Sequence, residues 1–247
     1  YPLTRLSSTT ASETAKVMEN AYRATNIAFI DEWTKFSEAV GIDLFEVTDA
    51  IRVRPTHSNI RFPGLGVGGY CLTKDPAFAP AASRQILNSS HLEFPMSMMS
   101  VKINQEMPLH AVDRLRQLFD GDLDQKRVLM LGVSYRPGVG DTRYSPAEAF
   151  ARALIEGGAQ VEAYDPFVSD WPEMNMQLCR KMPSPKTFDA IAFTTGHDVF
   201  QGLDLVSWLH GFQPMILDTV NVISKLQRER CRELGVKVES IGRGKGL

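Results

Sequence analysis

The sequence is poor in cysteine and has no hydrophobic run long enough to cross a bilayer. Its three cysteines, Cys71, Cys179 and Cys231, are odd in number and widely spaced, which argues against a disulfide scaffold. The longest apolar runs, such as Val128–Val133, have the length of a strand and predict no membrane span. Residues 1–10 lack the apolar core of a secretory signal. We therefore expect a reduced, soluble protein of the cytoplasm.

An excess of charge of one sign is also missing. The 247 residues include 27 lysines and arginines and 29 aspartates and glutamates, which gives a net charge of −2. A nucleic-acid-binding protein needs a basic surface, so we expect no nucleic-acid partner. The five histidines are scattered, and none has metal-ligand spacing with a cysteine, so we expect no metal site.

The first half of the chain has the periodicity of helices. Apolar residues recur every three or four positions from Ala15 to Val40, and Thr10–Glu13 has the pattern of a capping box. These features predict one long amphipathic helix over 11–40, ending at Gly41. Further helices are predicted at Leu44–Ile51 and at Ser97–Phe119, and another from Asp75 as the N-cap with Pro76 at the first helical position.

The second half alternates between strand-length apolar runs and helical patterns. This alternation predicts an α/β fold, a doubly wound parallel sheet of the Rossmann-like kind, which binds ligands at the carboxyl ends of its strands. We place the boundary in the polar stretch Asp120–Lys126, with a helical domain at 1–119 and a sheet domain at 120–247. Strands are expected at Arg127–Leu131, Val161–Tyr164, Ala190–Phe193, Met215–Leu217 and, more weakly, Val236–Ile241, and helices at Pro146–Glu156, Leu203–His210 and Lys225–Leu234.

The segment Gly64–Gly69 has the G-x-G-x-x-G spacing of a dinucleotide-binding fingerprint. That fingerprint requires a buried strand immediately before it. Here the preceding residues 56–63 are polar and include a proline, and Cys71 follows almost at once. We therefore favour a loop whose missing side chains let the backbone approach a ligand and present Cys71.

Cys71 is the candidate nucleophile of the chain. A thiolate is nucleophilic, and a nearby cation such as Lys74 lowers the pKa of a thiol. Asp75 is placed to orient a water or to accept a proton. The alternative for a lone cysteine is a small buried core residue, and we assign that role to Cys179 and Cys231.

Three further groups of polar residues are candidates. Lys16 and Asn20 share one face of the long helix and can together donate hydrogen bonds to an oxyanion, although such a pair is more often solvated helix surface. Arg52 and Arg54 precede the glycine loop, where they are either ordinary surface or a clamp for phosphate or carboxylate. Arg136 and Arg143 flank a loop that follows the first strand, next to a helix N-terminus, and suit a diphosphate.

Three of these segments resemble the UDP-sugar 6-dehydrogenase family, also called the UDP-glucose/GDP-mannose dehydrogenases. They are Ala15–Arg23, Gly64–Asp75 and Arg136–Arg143, and they occur in the family's order over nearly the whole chain. Family members have an N-terminal NAD-binding Rossmann domain, a central helical dimerisation domain and a C-terminal Rossmann-like UDP-binding domain. The resemblance covers the last two, so we expect the NAD-binding domain to be absent from this chain.

The resemblance implies a reaction and roles for particular residues. The family oxidises the C6 alcohol of a UDP-sugar to a carboxylate in two hydride transfers to NAD+. Cys71 resembles the nucleophile that forms a thiohemiacetal and then a thioester, and Asp75 the residue that assists hydrolysis of the thioester. Lys16 and Asn20 match positions that stabilise oxyanions. The substrate-binding residues that the resemblance implies are Gly68, Gly69, Tyr135, Arg136 and Arg54. Arg54 lies near the position of an arginine that, in family members, enters the partner subunit's site. The residues implied to face NAD are Lys74 and Arg143.

The form of the glycine loop favours one branch of this family. The sequence from Pro63 to Cys71, followed by Asp75-Pro76, looks more like the branch acting on UDP-N-acetylhexosamines than like the UDP-glucose branch. Two departures from the family pattern are Asp31, where many members have Asn, and Asn221, near a position where some place a substrate-binding Arg.

The long helix is also expected to form a homodimer interface, because its apolar positions exceed what one side of a helix in a small domain needs to bury. Without the NAD-binding domain, the chain is expected to turn over negligible substrate. Two alternatives stay open. One is a non-catalytic module that binds nucleotide-sugars or dimerises, and the other is a cofactor-independent cysteine hydrolase, which would need a histidine paired with Cys71.

Overall fold

The first part of the chain is helical, as the periodicity predicts. The computed structural model describes residues 3–87, 89 and 92–246. None of the helices in these ranges is long and apolar enough to cross a membrane. The helices of the first part are α1 (Thr9–Val40), α2 (Leu44–Arg52), α3 (Tyr70–Lys74), α4 (Phe78–Gln85) and α5 (Pro95–Leu118).

Helix α1 begins earlier than the capping box predicts. Its N-cap is Ser8, whose hydroxyl accepts a hydrogen bond from the N–H of Ala11 at 3.1 Å. The prediction of Thr10 as the cap was wrong, because the first turn already includes Thr10. The predicted end is confirmed: Gly41 adopts the left-handed conformation with φ of +79°, and its N–H bonds to the carbonyl of Ser37.

The face of α1 that packs inside the protein is made mainly of small and polar side chains. Helix α1 packs along α5. Its buried residues are Asn20, Ala24, Ala28, Ile30, Asp31, Thr34 and Ser37, of which only Ile30 is large and apolar. Six other large apolar side chains are exposed, at Met18, Tyr22, Phe29, Trp33, Phe36 and Val40. We call these six residues the α1 apolar face.

The second part of the chain forms the expected parallel sheet. Five strands lie in the order β2-β1-β5-β6-β7, and every neighbouring pair is parallel. From β1 the chain crosses to β2 on one side, and it later returns to β5 on the other side of β1. The topological switch point therefore lies between β1 and β5. The sheet strands are β1 (Arg127–Leu131), β2 (Gln160–Tyr164), β5 (Ala190–Phe193), β6 (Met215–Asp218) and β7 (Val238–Ser240).

The remaining elements of the second part connect these strands. The helices are α6 (Pro146–Glu156), α7 (Asp198–Gln201), α8 (Leu205–Leu209) and α9 (Lys225–Glu233). A two-stranded antiparallel pair, β3 (Asp170–Trp171) with β4 (Met176–Gln177), was not predicted, because two-residue strands leave no periodic signal.

Two apolar clusters pack on the sheet, and α5 belongs to one of them. Met107, Ala111 and Leu115 of α5 lie in the same buried cluster as Val128 and Phe150. The two parts are further joined by charge: Arg114 of α5 donates to Glu239 of β7 at 2.6 Å, and both side chains are buried. Helix α5 therefore belongs to both parts, and the domain boundary at residues 119/120 stays a prediction.

Candidate active site

The glycine loop is anchored against α5. Leu65 is buried in the same apolar cluster as Met107. Gly66 has a φ of +114°, and a Cβ atom built on it would lie 2.8 Å from the carbonyl oxygen of Asn104. Because Pro108 has no N–H, it cannot donate to that carbonyl as the helix pattern would require, which leaves the oxygen facing the loop. Glycine is therefore required at 66, and no described strand precedes the loop, which rules out the dinucleotide fingerprint.

The next two glycines let the loop dock on the second part of the chain. A Cβ atom at Gly68 would lie 2.8 Å from Cδ of Pro146 and 2.9 Å from Cβ of Tyr135. At Gly69 it would lie 2.9 Å from the ring of Tyr135, and the N–H of Gly69 donates to the carbonyl of Tyr144 at 3.1 Å. These glycines thus make room for protein side chains. Their contact with substrate stays a prediction.

Cys71 lies at the surface just after this docked segment. It is an exposed free thiol in the first turn of α3, for which Gly69 is the N-cap. Three residues later, the ammonium of Lys74 is 4.4 Å from the ring centre of Tyr70 and 4.3 Å from that of Phe78. Cys71 is therefore accessible beside a fixed cation, as the sequence predicts.

Asp75 is a buried carboxylate with two donors. Its Oδ2 accepts from Nδ2 of Asn20 at 2.6 Å, and its Oδ1 accepts from Nζ of Lys74 at 2.8 Å. Burial alone raises the pKa of Asp75, but these hydrogen bonds outweigh it and hold the pKa below the ordinary value. The prediction that Asp75 caps a helix was wrong: it makes no cap bond, lies in a 3-10 turn, and α4 begins at Phe78.

Lys16 and Asn20 meet the cysteine segment through Asp75. Nζ of Lys16 donates to Oδ1 of Asn20 at 3.3 Å and to Glu19 at 3.0 Å. An ammonium has three hydrogens and an amide nitrogen two, so Lys16 and Asn20 each retain one N–H that bonds to no residue in the described part of the chain. The two motifs, 55 residues apart in sequence, therefore converge on one polar site with unspent donors.

The loop that carries Arg136 and Arg143, which we call the arginine loop, follows β1 at the switch point. The guanidinium of Arg136 is 5.9 Å from the ring centre of Tyr135, and its side chain is exposed. Arg143 binds Asp141 through two nitrogens, at 3.0 and 2.8 Å, yet 71% of its side chain is exposed. The hydrogen bond from Arg143 lowers the pKa of Asp141. Ser145 is the N-cap of α6, and its hydroxyl accepts a hydrogen bond from the N–H of Ala147 at 3.3 Å.

Two residues that the sequence analysis missed hold this loop in place. Asp165 accepts from the backbone N–H groups of Val133 and Ser134 at 2.9 and 3.1 Å, and from Nε2 of His197 at 3.0 Å. Nδ1 of His197 accepts from the N–H of Gly138 at 3.2 Å. The pair thus binds both ends of the segment that carries Tyr135 and Arg136. In the sequence, only the positions of Asp165 after β2 and of His197 after β5 could have identified this pair.

The pKa of Asp165 reflects these contacts. Burial raises the pKa, but the hydrogen bonds from His197 and from backbone N–H groups outweigh that effect and lower it to about 2. The carboxylate is therefore ionised at neutral pH. Because Gly138 donates to Nδ1, His197 carries its proton on Nε2 and donates it to Asp165.

Other sequence candidates lie apart from this cluster. Arg54 is exposed at the start of a 3-10 turn, and its side chain makes no hydrogen bond or ion pair with any described residue. Within the described ranges, no histidine is hydrogen-bonded to Cys71, and His91 lies outside them. The same ranges contain no group of three or more His, Cys, Asp or Glu residues that could hold a metal ion.

The fold and the site together describe an α/β protein in which an exposed cysteine and a buried carboxylate lie next to a loop that carries two arginines. Sequence models of two domains of one family match it. The central domain of the UDP-glucose/GDP-mannose dehydrogenase family matches residues 10–106, and the UDP binding domain of that family matches residues 129–225. The chain belongs to this family of dehydrogenases.

Individual relatives agree with this assignment. A UDP-N-acetyl-D-mannosamine dehydrogenase of Methanocaldococcus jannaschii is 32% identical over 95% of this chain and 52% of its own length. A UDP-glucose 6-dehydrogenase of Rickettsia conorii is 28% identical over 94% of this chain and 54% of its own length. The crystal structure of an NDP-N-acetyl-D-galactosaminuronic acid dehydrogenase from Methanosarcina mazei Go1 superposes with a TM-score of 0.84 at 26% identity, over 96% of this chain and 52% of that one. The chain spans about half the length of the relatives it matches.

Proposed function

We propose that this chain is the cysteine-bearing and UDP-binding portion of an NAD-dependent UDP-sugar 6-dehydrogenase. The observation that carries the proposal is the hydrogen bond of 2.6 Å between Asn20 and Asp75. It joins the helical motif to the Cys71 segment, and the Gly69 contact joins that segment to the arginine loop. These contacts support the proposal that Cys71 acts as nucleophile, Lys16 and Asn20 as oxyanion donors and Arg136 as a ligand of phosphate within one continuous structure.

Each residue has a chemical role under this proposal. The thiolate of Cys71 bonds to the C6 carbonyl carbon of an oxidised sugar, and the free N–H groups of Lys16 and Asn20 stabilise the negative oxygen that this addition creates. After C6 has given up a second hydride, the adduct would be a thioester. Asp75, with its lowered pKa, stays ionised and would orient the water that hydrolyses this thioester, releasing the Cys71 thiol and the sugar carboxylate. Arg136 and Tyr135 bind the UDP part.

NAD, when bound, supplies the acceptor for hydride from C6. Arg143 fits a role towards this cofactor, since its guanidinium is largely exposed although one edge is held by Asp141. Lys74 is already engaged by Asp75 and two aromatic rings, so we propose that it orients Asp75 as well as facing the cofactor. The exposed thiol of Cys71 suits the reducing cytoplasm, which is the location we propose.

The substrate we propose is a UDP-N-acetylhexosamine, with UDP-glucose as the second candidate. The form of the glycine loop supports this order, as does the name of the M. jannaschii relative. The name of the R. conorii relative supports the second candidate.

Calorimetric titration of the chain with UDP, UDP-N-acetylmannosamine, UDP-N-acetylglucosamine, UDP-glucose and GDP-mannose tests the proposal. We expect the UDP compounds to bind and the tightest sugar to identify the branch. Arg136→Gln should weaken every UDP compound, whereas Arg180→Gln, an exchange outside the site, should leave them unchanged. A folded wild-type chain that binds no UDP compound would contradict the proposal.

The thiol itself is tested without a cofactor. A UDP-hexose carrying an aldehyde at C6 should form an adduct with Cys71 and protect it from alkylation, whereas UDP alone should protect it less. Because the chain has two other cysteines, the modified residue is located by peptide mass spectrometry. Equal alkylation of Cys71 with and without the aldehyde would remove the nucleophile from the mechanism.

We further propose that the α1 apolar face binds a second copy of this chain. Its rings form a continuous ladder, with centres 6.2 Å apart from Phe29 to Trp33 and 5.5 Å apart from Trp33 to Phe36. Exposed apolar surface of this extent is typical of an interface. Sedimentation velocity should show a dimer that Trp33→Glu dissociates and that Leu226→Glu, an exposed exchange on α9, leaves intact. A wild-type monomer at high concentration would contradict this proposal.

A further inference from the structure

A pocket of about 340 Å³ lies between α5, α9 and the strand β7, away from the switch point. Six charged side chains line it: Arg114, Arg228, Arg232, Lys237, Glu239 and Lys245. Strand β7 is the edge strand, three positions from β1 in the sheet order, or roughly 14 Å at ordinary strand spacing. The pocket is therefore separate from the arginine loop that follows β1.

The charge of this lining is strongly one-sided. Arg114 and Glu239 are both buried and neutralise each other at 2.6 Å. Arg228, Arg232, Lys237 and Lys245 remain, and none of them forms an ion pair with an acidic residue in the described part of the chain. A chain with a net charge of −2 thus concentrates four unpaired cations around one small pocket.

The neighbouring guanidiniums are only partly compensated. Burial and the positive charge of Arg243 lower the pKa of Arg228, although the carboxylates of Asp218 and Asp43 act in the opposite direction. Arg243 is buried and its Nε is paired with Asp43 at 2.7 Å, but its Nη1 has no hydrogen-bond partner among the described residues. A buried donor without a partner is costly in a folded protein, and an anion bound nearby would offset part of that cost.

The donors have the chemistry of a phosphate site. Guanidinium groups bind phosphate oxygens through parallel N–H bonds, and lysines add point charge. Arg228 and Arg232 come from adjacent turns of α9 and share a face, because they are four residues apart. Arg228 and Arg232 use one nitrogen each for the carbonyls of Ile223 and Gly246, which holds the side chains in place and leaves other N–H groups free.

We propose that this pocket binds the phosphates of a small di- or triphosphate molecule, at a site separate from the UDP loop. The volume lies at the lower end of the range for small-molecule sites, which suits a phosphate group and its immediate substituent rather than a whole nucleotide-sugar. The ligand binds in addition to the substrate and would bridge α5, which contributes Arg114, to α9 and β7.

Titration with inorganic pyrophosphate tests the site. To remove binding at the arginine loop, the parent protein is the chain carrying R136Q and R143Q. We expect it to bind pyrophosphate with one site per chain. Adding R232Q and K237Q should weaken that binding at least tenfold.

The matched control adds K225Q and R230Q to the parent instead. These exchanges also remove two positive charges, and both residues lie on α9 outside the pocket lining. It should bind pyrophosphate like the parent. Circular dichroism verifies that each variant is folded, and Arg232→Lys with Lys237→Arg, which keep the charge, serve as a second pair if the glutamines unfold the chain. Absence of binding in the parent, or equal weakening by pocket and control exchanges, would overturn the proposal.

Discussion

The helical part and the sheet part of this molecule bury different kinds of side chain. In the sheet part, large residues such as Phe150, Phe193 and Trp171 are almost completely buried. In the helical part, α1 buries small and polar residues and leaves its aromatic residues exposed, with Phe36 at 53%. The sheet part therefore has its own core, whereas the helical part depends on α5 and on whatever covers the α1 apolar face.

The largest expected effect compares the same exchange in the two parts. Phe150→Ala removes a fully buried ring and should lower the free energy of unfolding by about 3–5 kcal/mol. Phe36→Ala removes a half-exposed ring that contacts Trp33, and should cost about 1 kcal/mol or less in a dilute monomer. Urea denaturation measures both. Equal losses would mean that the two parts do not differ as described.

Two buried carboxylates sharpen the comparison, because their pKa values move in opposite directions. Asp165 in the sheet part is fully hydrogen-bonded, and its pKa is lowered to about 2. An unfolded Asp has a pKa near 3.9, so this group contributes about 2 kcal/mol that is present above pH 4 and lost as pH falls towards 2. Asp165→Asn should be less stable at pH 7 by at least that amount and should lose less stability on acidification. A parallel pH dependence of the two proteins would contradict this.

Asp31 in the helical part has the opposite behaviour. It is buried, its Oδ2 has no partner among the described residues, and burial raises its pKa against a weaker opposing effect of Lys35. Ionisation therefore destabilises the folded state as pH rises from about 4 through the raised pKa. Asp31→Asn should gain roughly 1 kcal/mol at pH 7 and little near pH 3, measured by urea denaturation at both values. Loss of stability at pH 7 would show that Asp31 has a stabilising partner.

A last comparison concerns ligand binding rather than stability, through Asp165 and His197, the pair that clamps the arginine loop. His197→Phe keeps a ring but removes the bonds to Asp165 and Gly138, so we expect UDP to bind about tenfold more weakly by calorimetry. Leu209→Ala, a core exchange in α8, should lower stability without changing UDP affinity. Unchanged affinity in His197→Phe would separate the clamp from the ligand loop.

Sequence patterns predicted the elements of this fold better than their contacts. The alternation after residue 126 predicted all five strands of the sheet, and periodicity predicted α1 and α5. The period of α1 identified its apolar face but not which face lies inside, because burial depends on what α5 offers. Asp75 failed as a predicted cap for a related reason: its carboxylate is bound by Asn20, 55 residues away.

The site was predicted in part for similar reasons. Cys71, Asp75, Lys16 and Asn20 lie in motifs whose residue types suggest their chemistry. His197 and Asp165 follow different strands, and only the sheet brings them together at 3.0 Å. The basic pocket draws on α5, α9 and β7, so no single stretch of sequence carries it.

The fit of Gly68 and Gly69 against Tyr135 and Pro146 has a consequence for how such proteins can be recombined. The two surfaces belong to different parts of the chain and leave no room for a single extra carbon. A chimera that takes its cysteine loop from one relative and its arginine loop from another would join surfaces that were selected separately. Exchange between relatives should therefore succeed when both loops come from the same parent, and fail when a single crossover in α5 takes the two loops from different parents.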